Sequence, residues 1–169
     1  MGGRGGGSGF KAKLNKGGRK ESSVLPDLPE NMGGRIRIFH DMMNDPSARG
    51  DNDVRFTGDM HEAPASPYGY SAPGTYEVLK GGKEKTRERI SGEITAFYGR
   101  LYGVQRVDEE NYMVTDLRTG MLISYSEPSI YKAWEAIRTF NDGLHRERMK
   151  KSLESAEAMF KKAQRSGKK

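Results

Sequence analysis

The densest group of side chains able to bind a metal lies in the stretch DNDVRFTGDMHE. Its potential ligands are Asp51, Asp53, Asp59, His61 and Glu62. A calcium loop places an oxygen ligand at three alternating positions followed by glycine, and Arg55 occupies the third of these positions. No HExxH pair is present either. We therefore expect a solvated, turn-rich loop here, with no metal and no cofactor.

A second stretch, LKGGKEKT, resembles a phosphate-binding loop. Such a loop needs a glycine five positions before its Gly-Lys pair and a Ser or Thr directly after the lysine. Glu77 stands at the first of these positions, and Glu84 follows Lys83. Because both requirements fail, the sequence predicts a flexible connection at this point and no nucleotide site.

Nucleophilic catalysis finds no support in the residue pattern. The chain has no cysteine. Ser66, Ser71, Ser91 and Ser124 lack the strained, glycine-flanked setting of a serine nucleophile. We expect no catalytic residues and a protein that is not an enzyme. An uncharacterised enzyme remains an alternative, carried by residues 35–79, and loss of activity on changing His61 or Asp59 would revive it.

The charge is strongly segregated along the chain. The formal net charge is +6, yet residues 1–20 carry +6, residues 150–169 carry +5 and residues 21–149 carry −5. A cluster of about six cations binds nucleic-acid phosphates in a strongly salt-dependent way. The predicted contacts to nucleic acid or another acidic partner are Arg4, Lys11, Lys13, Lys16, Arg19, Lys20, Lys161, Lys162 and Arg165. The alternative is that the ends only keep the chain soluble.

Two further groups could contact another protein. The loop PYGYSAPGTY offers Tyr68, Tyr70 and Tyr76, and tyrosine gives a large contact area at low entropic cost. The alternative is that some of these rings fill a small core. Met149, Leu153 and Phe160 recur at heptad spacing near the end of the chain. That stripe could dock on the domain, on a second copy in a homo-oligomer, or on a partner.

The elements that position these residues suggest an α+β fold with four regions. We predict a disordered basic arm (1–31), a turn-rich region with a short hairpin (32–76), a compact α+β domain (77–142) and a basic amphipathic helix with its tail (143–169). The hairpin would join the alternating segments Arg35–Phe39 and Val54–Phe56. Residues 61–76, which contain several prolines, are expected to form a loop.

Within the compact domain we predict a helix, a three-stranded antiparallel meander and a second helix. Ile90, Ile94, Phe97 and Leu101 recur at helical spacing. The segments GVQRVD, NYMVTDL and GMLISYS follow as strands joined by short turns. Ser126 is the expected N-cap of the second helix, whose apolar stripe runs from Ile130 to Phe140, and Gly143 is its expected stop.

Two stretches carry family resemblances. The opening MGGRGGGSG resembles the N-termini of small proteins encoded by bacteriophages and prophages, which implies a phage accessory protein of the assembly or anti-defence kind, including anti-CRISPR proteins. Residues Tyr102–Phe140 are similar in outline to the three-stranded DNA-binding domains that precede phage integrases, which implies contact with the major groove. Here Asp108, Glu109 and Glu110 lie among the strands, and an acidic sheet does not suit a DNA groove.

Taken together, these patterns predict a non-catalytic phage-type interaction protein that contacts nucleic acid or a nucleoprotein through its basic ends. An inhibitor of host defence fits that description, and a virion assembly or accessory protein is the alternative. No run approaches the roughly 20 apolar residues of a membrane span, and no apolar leader begins the chain. We expect it in the bacterial cytoplasm or associated with a virion, without membrane contact.

Overall fold

The computed structural model describes residues 21–165, which fold as a mixed α+β structure around an eight-stranded sheet. The strand order is β1-β3-β4-β5-β6-β7, with β2 also pairing with β3 and β8 also pairing with β4. All pairs are antiparallel except β4 with β8. The strands are β1 (Arg55–Phe56), β2 (His61–Glu62), β3 (Tyr70–Lys80), β4 (Thr86–Phe97), β5 (Arg100–Asp108), β6 (Asn111–Asp116), β7 (Met121–Glu127) and β8 (Gln164–Arg165).

Within the described residues, four helices cover this sheet. They are α1 (Arg35–Met43), α2 (Pro46–Arg49), α3 (Ile130–Phe140) and α4 (Gly143–Lys162). α3 packs across β5, β6 and β7, whereas α1 contacts β4 and α2 contacts β5. Between residues 21 and 165, none of these helices has both the length and the apolar character needed to cross a bilayer.

The sheet is buried on both faces, which gives two apolar clusters. Leu101 and Tyr102, successive residues of β5, belong to different clusters because side chains alternate along a strand. The cluster on the Leu101 side is completed by α1, α2 and the segment before them, and includes Phe39 and Phe56. The cluster on the Tyr102 side is completed by α3 and includes Trp134.

One residue, Tyr76 of β3, holds the three longest strands in close contact. Its ring is fully buried and lies against Gly92 of β4 and Gly103 of β5. A methyl group at Gly103 would lie 2.3 Å from a ring carbon of Tyr76. The two glycines therefore make the space that the tyrosine fills.

The predicted helix that begins the compact domain is wrong. Ile90 and Ile94 lie in β4, which pairs with β3 from Lys80↔Thr86 to Ala72↔Ile94. Leu101 lies across the hairpin in β5, opposite Ala96. These residues form a strand and not a helix because pairing with β3 and β5 buries Ile94, Ala96 and Leu101 completely. An isolated helix containing Gly92 and Gly99 would have lost about 1 kcal/mol at each glycine.

The predicted hairpin of Arg35–Phe39 with Val54–Phe56 is also wrong. Residues 35–43 form α1, in which Phe39 and Met43 are fully buried and Ile38 is 62% exposed. The spacing of four between the two buried residues suits a helix. Arg55 and Phe56 do form a strand, but it pairs with Thr75 and Gly74 of β3. The predicted loop of residues 61–76 contains β2 and the first half of β3.

The segments predicted as a meander form β5, β6 and β7, and they pair as antiparallel neighbours. These three strands form one side of the larger sheet. The predicted unit of a three-stranded meander between two helices therefore covers only part of the fold. The helices at 130–140 and 143–162 are present as predicted. Their limits differ, because Ser129 caps α3 by accepting a hydrogen bond from the Lys132 amide, and Gly143 begins α4.

The first described residues are ordered against the sheet. Leu25 is 3% exposed in the cluster that contains Phe39 and Phe56. The predicted arm (1–31) lies mostly outside the described residues, and its segment from Ser22 to Leu25 contacts the folded body. β3 also runs through positions 76 and 77, where the sequence suggested a domain boundary.

Candidate functional site

The N-terminal end of the described chain is held by backbone and side-chain hydrogen bonds. Ser22 and Phe56 exchange two backbone hydrogen bonds of 3.0 and 2.6 Å. The Arg49 guanidinium donates to the Ser23 carbonyl at 2.8 Å, and the Asn44 side chain accepts from the Leu25 amide at 2.7 Å. These contacts fix the point at which residues 1–20 join the folded body.

The C-terminal end is held by the carboxylate of Glu77, which is buried. The Arg165 side chain donates to Glu77 at 2.6 Å, and Arg87 donates to the other Glu77 oxygen at 3.0 Å. The hydrogen bond with Glu77 raises the pKa of Arg165 above its ordinary value. Arg87 also donates to the Phe160 carbonyl at the end of α4. Residue 165 is therefore fixed beside the start of β4.

These two attachment points are linked through the segment 49–56, although β3 and β4 lie between them. The Glu77 oxygen that faces Arg87 also accepts from the Asp53 amide at 3.3 Å. Asp53 lies between Arg49 and Phe56, the two residues that hold the N-terminal end. Both ends of the described chain are thus anchored on the segment 49–56 and on Glu77, which contacts that segment directly.

The structure describes three of the nine cations predicted to bind nucleic acid. Lys161 and Lys162 are exposed in the last turn of α4, and Arg165 is exposed although it is paired with Glu77. All three lie at the C-terminal end of the described chain. The other six lie outside the described residues, namely Arg4, Lys11, Lys13, Lys16, Arg19 and Lys20.

The apolar stripe of α4 packs on its own sheet. Leu153 and Phe160 are buried, and Met149 is half-buried against the cluster around Trp134. The Arg87 guanidinium lies 3.9 Å from the centre of the Phe160 ring. Of the three places where the stripe could dock, the structure shows the first, because these side chains are covered within the chain.

The three tyrosines of the predicted interaction loop separate into two groups. Tyr76 is fully buried between the strands, so it is a core residue. Tyr68 and Tyr70 are half-buried, and their ring centres lie 6.2 and 5.9 Å from that of Phe39. Only Tyr68 and Tyr70 therefore present part of a ring to the surface.

Tyr68 and Tyr70 line an open cleft with two arginines, which we call the Arg–Tyr cleft. Its volume is about 420 Å³, and it is bounded by Arg35, Glu62, Pro64, Ser66, Pro67, Tyr68, Gly69, Tyr70 and Arg138. Arg35 comes from α1 and donates to the Tyr68 carbonyl at 3.3 Å. Arg138 comes from α3 and donates to the carbonyls of Ala65 and Ser66 at 3.2 and 3.0 Å. Two elements distant in sequence thus bring their cations to one loop.

A row of aromatic rings extends from the cleft to the tip of the β4–β5 hairpin. The Tyr68 and Phe97 ring centres are 5.5 Å apart, and those of Phe97 and Tyr98 are 4.7 Å apart. Tyr98 and Gly99 form the two-residue turn, and both have positive φ, 54° and 73°. Such turns favour Asn-Gly, so a tyrosine at the first position, 62% exposed, is held in a strained backbone.

The acidic stretch predicted as a solvated loop places one histidine in a polar cluster. His61 Nε2 lies 2.7 Å from a Glu93 oxygen, and the Ser71 hydroxyl donates to the same oxygen at 2.6 Å. In a serine relay, the acid faces the other ring nitrogen. Because Glu93 and Ser71 both approach Nε2, this cluster does not have the geometry of an activated nucleophile. No group of three potential ligands within residues 21–165 is placed to hold a metal ion.

Many acidic side chains of the middle region are paired with arginines. Arg87 pairs with Asp51 and Glu77, and Arg89 pairs with Asp53. The buried Asp116 receives two hydrogen bonds from Arg100 at 3.0 and 2.7 Å. These carboxylates are therefore neutralised within the fold and do not form a row of free negative charge.

Sequence reasoning missed the two arginines of the Arg–Tyr cleft. Arg35 was assigned to a strand, and Arg138 is an ordinary polar position of a predicted amphipathic helix. Only the tyrosines between proline and glycine marked this region in the sequence. The comparisons with known proteins add no further candidates, since the chain matches no protein-family model, no curated protein and no solved structure.

Proposed function

We propose that this protein is a non-catalytic interaction protein that binds a nucleic acid or nucleoprotein through the basic segments at its two ends. The observation that carries the proposal is the concentration of positive charge in those two ends, each of which joins the fold at a fixed attachment. Residues 1–20 bring six cations and no acid, and residues 166–169 bring two lysines. Lys161 and Lys162 are exposed in the last turn of α4.

The binding of separate cations to one polyanion is strengthened when they are tethered close together, as the six cations of residues 1–20 are. Each phosphate that a cation neutralises releases counterions, which makes the affinity fall steeply with salt. The six cations of residues 1–20 can therefore act together on one stretch of backbone, and the lysines near the other end of the chain can add to them.

An inhibitor of host defence is one form of this function, and it would contact a nucleoprotein. The alternative is a virion assembly or accessory role, of the phage type suggested by the opening residues, which would use the same ends to contact other subunits. The pairing of Asp51, Asp53, Glu77 and Asp116 with arginines favours a protein that binds nucleic acid over one that imitates it.

The test is a salt series of binding to duplex and single-stranded nucleic acid with the full chain. The comparison variant replaces the six cations of residues 1–20 by glutamine and keeps the length of the chain. Truncation to residue 31 is unsuitable, because it removes Leu25 from the core. A matched control replaces Arg106 and Arg148, both exposed, by glutamine.

For duplex DNA, six phosphate contacts contribute about −5 to the slope of log K against log salt, and the glutamine variant should lose that part. The Arg106/Arg148 variant should keep the slope of the wild-type chain. Absence of binding at low salt by the wild-type chain would refute the proposal. Salt-insensitive self-association by sedimentation would favour the assembly role.

A further inference from the structure

We propose that the Arg–Tyr cleft binds an unpaired nucleotide of single-stranded RNA or DNA, with a phosphate on Arg35 and Arg138 and a base against Tyr68 or Tyr70. The inference rests on the proposed binding of nucleic acid and adds a second site that selects for unpaired bases. The cleft lies at the end of the β3–β4 hairpin that contains Tyr70 and Phe97. The C-terminal end is anchored towards the opposite end, beside Arg87.

The arginines are arranged for an anion. Each guanidinium is oriented by backbone carbonyls of residues 65–68 at 3.0–3.3 Å, which uses only some of its five N–H donors. In the part of the chain that the structure describes, neither Arg35 nor Arg138 forms an ion pair with a carboxylate. This contrasts with Arg87, Arg89 and Arg100, whose charges are matched within the fold.

The tyrosines provide a stacking surface, which a base needs and a phosphate alone does not. Tyr68 and Tyr70 are fixed by ring contacts with Phe39, so a base can stack on them without first ordering the side chain. Phe97 continues the row to the exposed ring of Tyr98. The strained turn that holds Tyr98 is understandable if its exposed ring receives a neighbouring base, since strain persists where function requires it.

Size and polarity agree with a nucleotide. A volume of about 420 Å³ lies in the range of small-ligand sites. Glu62, on the cleft rim, offers a carboxylate that can accept a hydrogen bond from an exocyclic amino group, as acids do for cytosine. A purely anionic ligand would be repelled by Glu62, whereas a nucleotide places its phosphate and its base edge at different points.

The experiment compares three probes of equal length with the full chain. They are a single strand of mixed sequence, its duplex, and a single strand with the same phosphates but abasic sugars. The abasic strand separates base stacking from phosphate binding. We expect the wild-type chain to prefer the base-bearing single strand over the abasic strand by at least about fivefold, the lower end of what one stacked base contributes.

Arg35→Gln with Arg138→Gln should weaken binding of the base-bearing single strand about tenfold and make its salt dependence less steep by about 0.7, the value for one single-strand phosphate. Duplex affinity should stay unchanged. The matched control is Arg106→Gln with Arg148→Gln, because Arg106 also rests on a backbone carbonyl. Tyr68→Leu should remove the preference for bases over abasic sugars. If Tyr68→Leu disturbs the fold, Tyr98→Leu tests the same row of aromatic rings at an exposed residue.

The possible results separate the two proposals. Equal binding of base-bearing and abasic strands by the wild-type chain would overturn the cleft as a nucleotide site and leave binding through the ends intact. Loss of duplex affinity in the cleft variant, but not in the Arg106/Arg148 control, would equally refute selection for unpaired bases. If the six-glutamine variant keeps wild-type duplex affinity while the cleft variant loses single-strand binding, binding through the ends is refuted and the cleft proposal is supported. Tighter binding of a phosphopeptide than of the single strand would assign the cleft to a protein partner.

Discussion

Replacing Gly103 by alanine should destabilise the protein more than its single methyl group suggests. That methyl group would lie 2.3, 2.5 and 2.7 Å from three ring carbons of Tyr76, whereas relaxed carbon contacts are about 3.5–4.0 Å. The ring cannot move away easily, because its hydroxyl lies against Gly92 on the neighbouring strand. We expect a loss of about 3 kcal/mol in the free energy of unfolding, the upper end of the usual overpacking range.

The assay is urea denaturation followed by the fluorescence of Trp134, the single tryptophan, which is 3% exposed. The control is Gly82→Ala, where an added methyl group meets nothing within 4 Å. That variant should remain within about 0.5 kcal/mol of wild type. Because total stability is about 5–15 kcal/mol, the Gly103 variant should still fold at low temperature.

A second variant tests the cause of the loss. Tyr76→Leu alone should cost about 3 kcal/mol through the lost contacts and the cavity it leaves. Combined with Gly103→Ala, it should cost less than the sum of the two single changes, by about 1–2 kcal/mol, since the methyl group then enters the vacated space. Additive losses, or a Gly103 variant as stable as the Gly82 variant, would refute the close contact between the ring and the strand.

Three further outcomes follow from the buried polar groups. Asp116→Asn should lower the free energy of unfolding by about 3–5 kcal/mol in urea denaturation, because it leaves Arg100 without its buried partner. Burial, and then the charge of Asp116, raises the pKa of Tyr102 to about 12. A tyrosine in the unfolded chain has a pKa of about 10, so this contribution to the free energy of unfolding is fully present below pH 10. It should fall by up to about 3 kcal/mol as the pH approaches 12, and Tyr102→Phe should reduce that fall. Arg87→Gln should speed amide hydrogen exchange in the last turn of α4, whose Phe160 carbonyl it releases, while α3 exchanges at its wild-type rate.

The helices and strands that were predicted correctly share a strong local signal. α3 has a capping serine and an apolar stripe, and Ala133, Trp134 and Ile137 of that stripe are buried as the spacing indicates. The strands β5 to β7 are joined by turns too short for any arrangement but antiparallel pairing. In both regions, neighbours in sequence determine the structure.

β4 was misread because its buried positions do not show the alternation expected of a strand. On the side that faces Tyr76, one position is Gly92, which supplies space where an apolar side chain would normally be. Arg87, at the start of the strand, is 2% exposed because it pairs with Glu77 and Asp51. The residues that explain these choices are distant in sequence, so no local window contains the signal.

The Arg–Tyr cleft could not be predicted from the sequence for a similar reason. Tyr68 and Tyr70 could be marked as surface candidates from their proline- and glycine-rich setting. Arg35 and Arg138 are separated by about a hundred residues and meet only because α1 and α3 both reach the loop of residues 65–68. One sequence without relatives gives no indication of that meeting.

The shared anchoring of the chain ends has a mechanical consequence. A polymer that grips both basic segments and then moves would pull the ends apart, and the load would pass through the Ser22–Phe56 bridge and the Arg165–Glu77 ion pair. These contacts are short and would open before the long β3–β4 ladder, which lies between them. The sheet would thus be shielded from force by contacts that can re-form once the load is released.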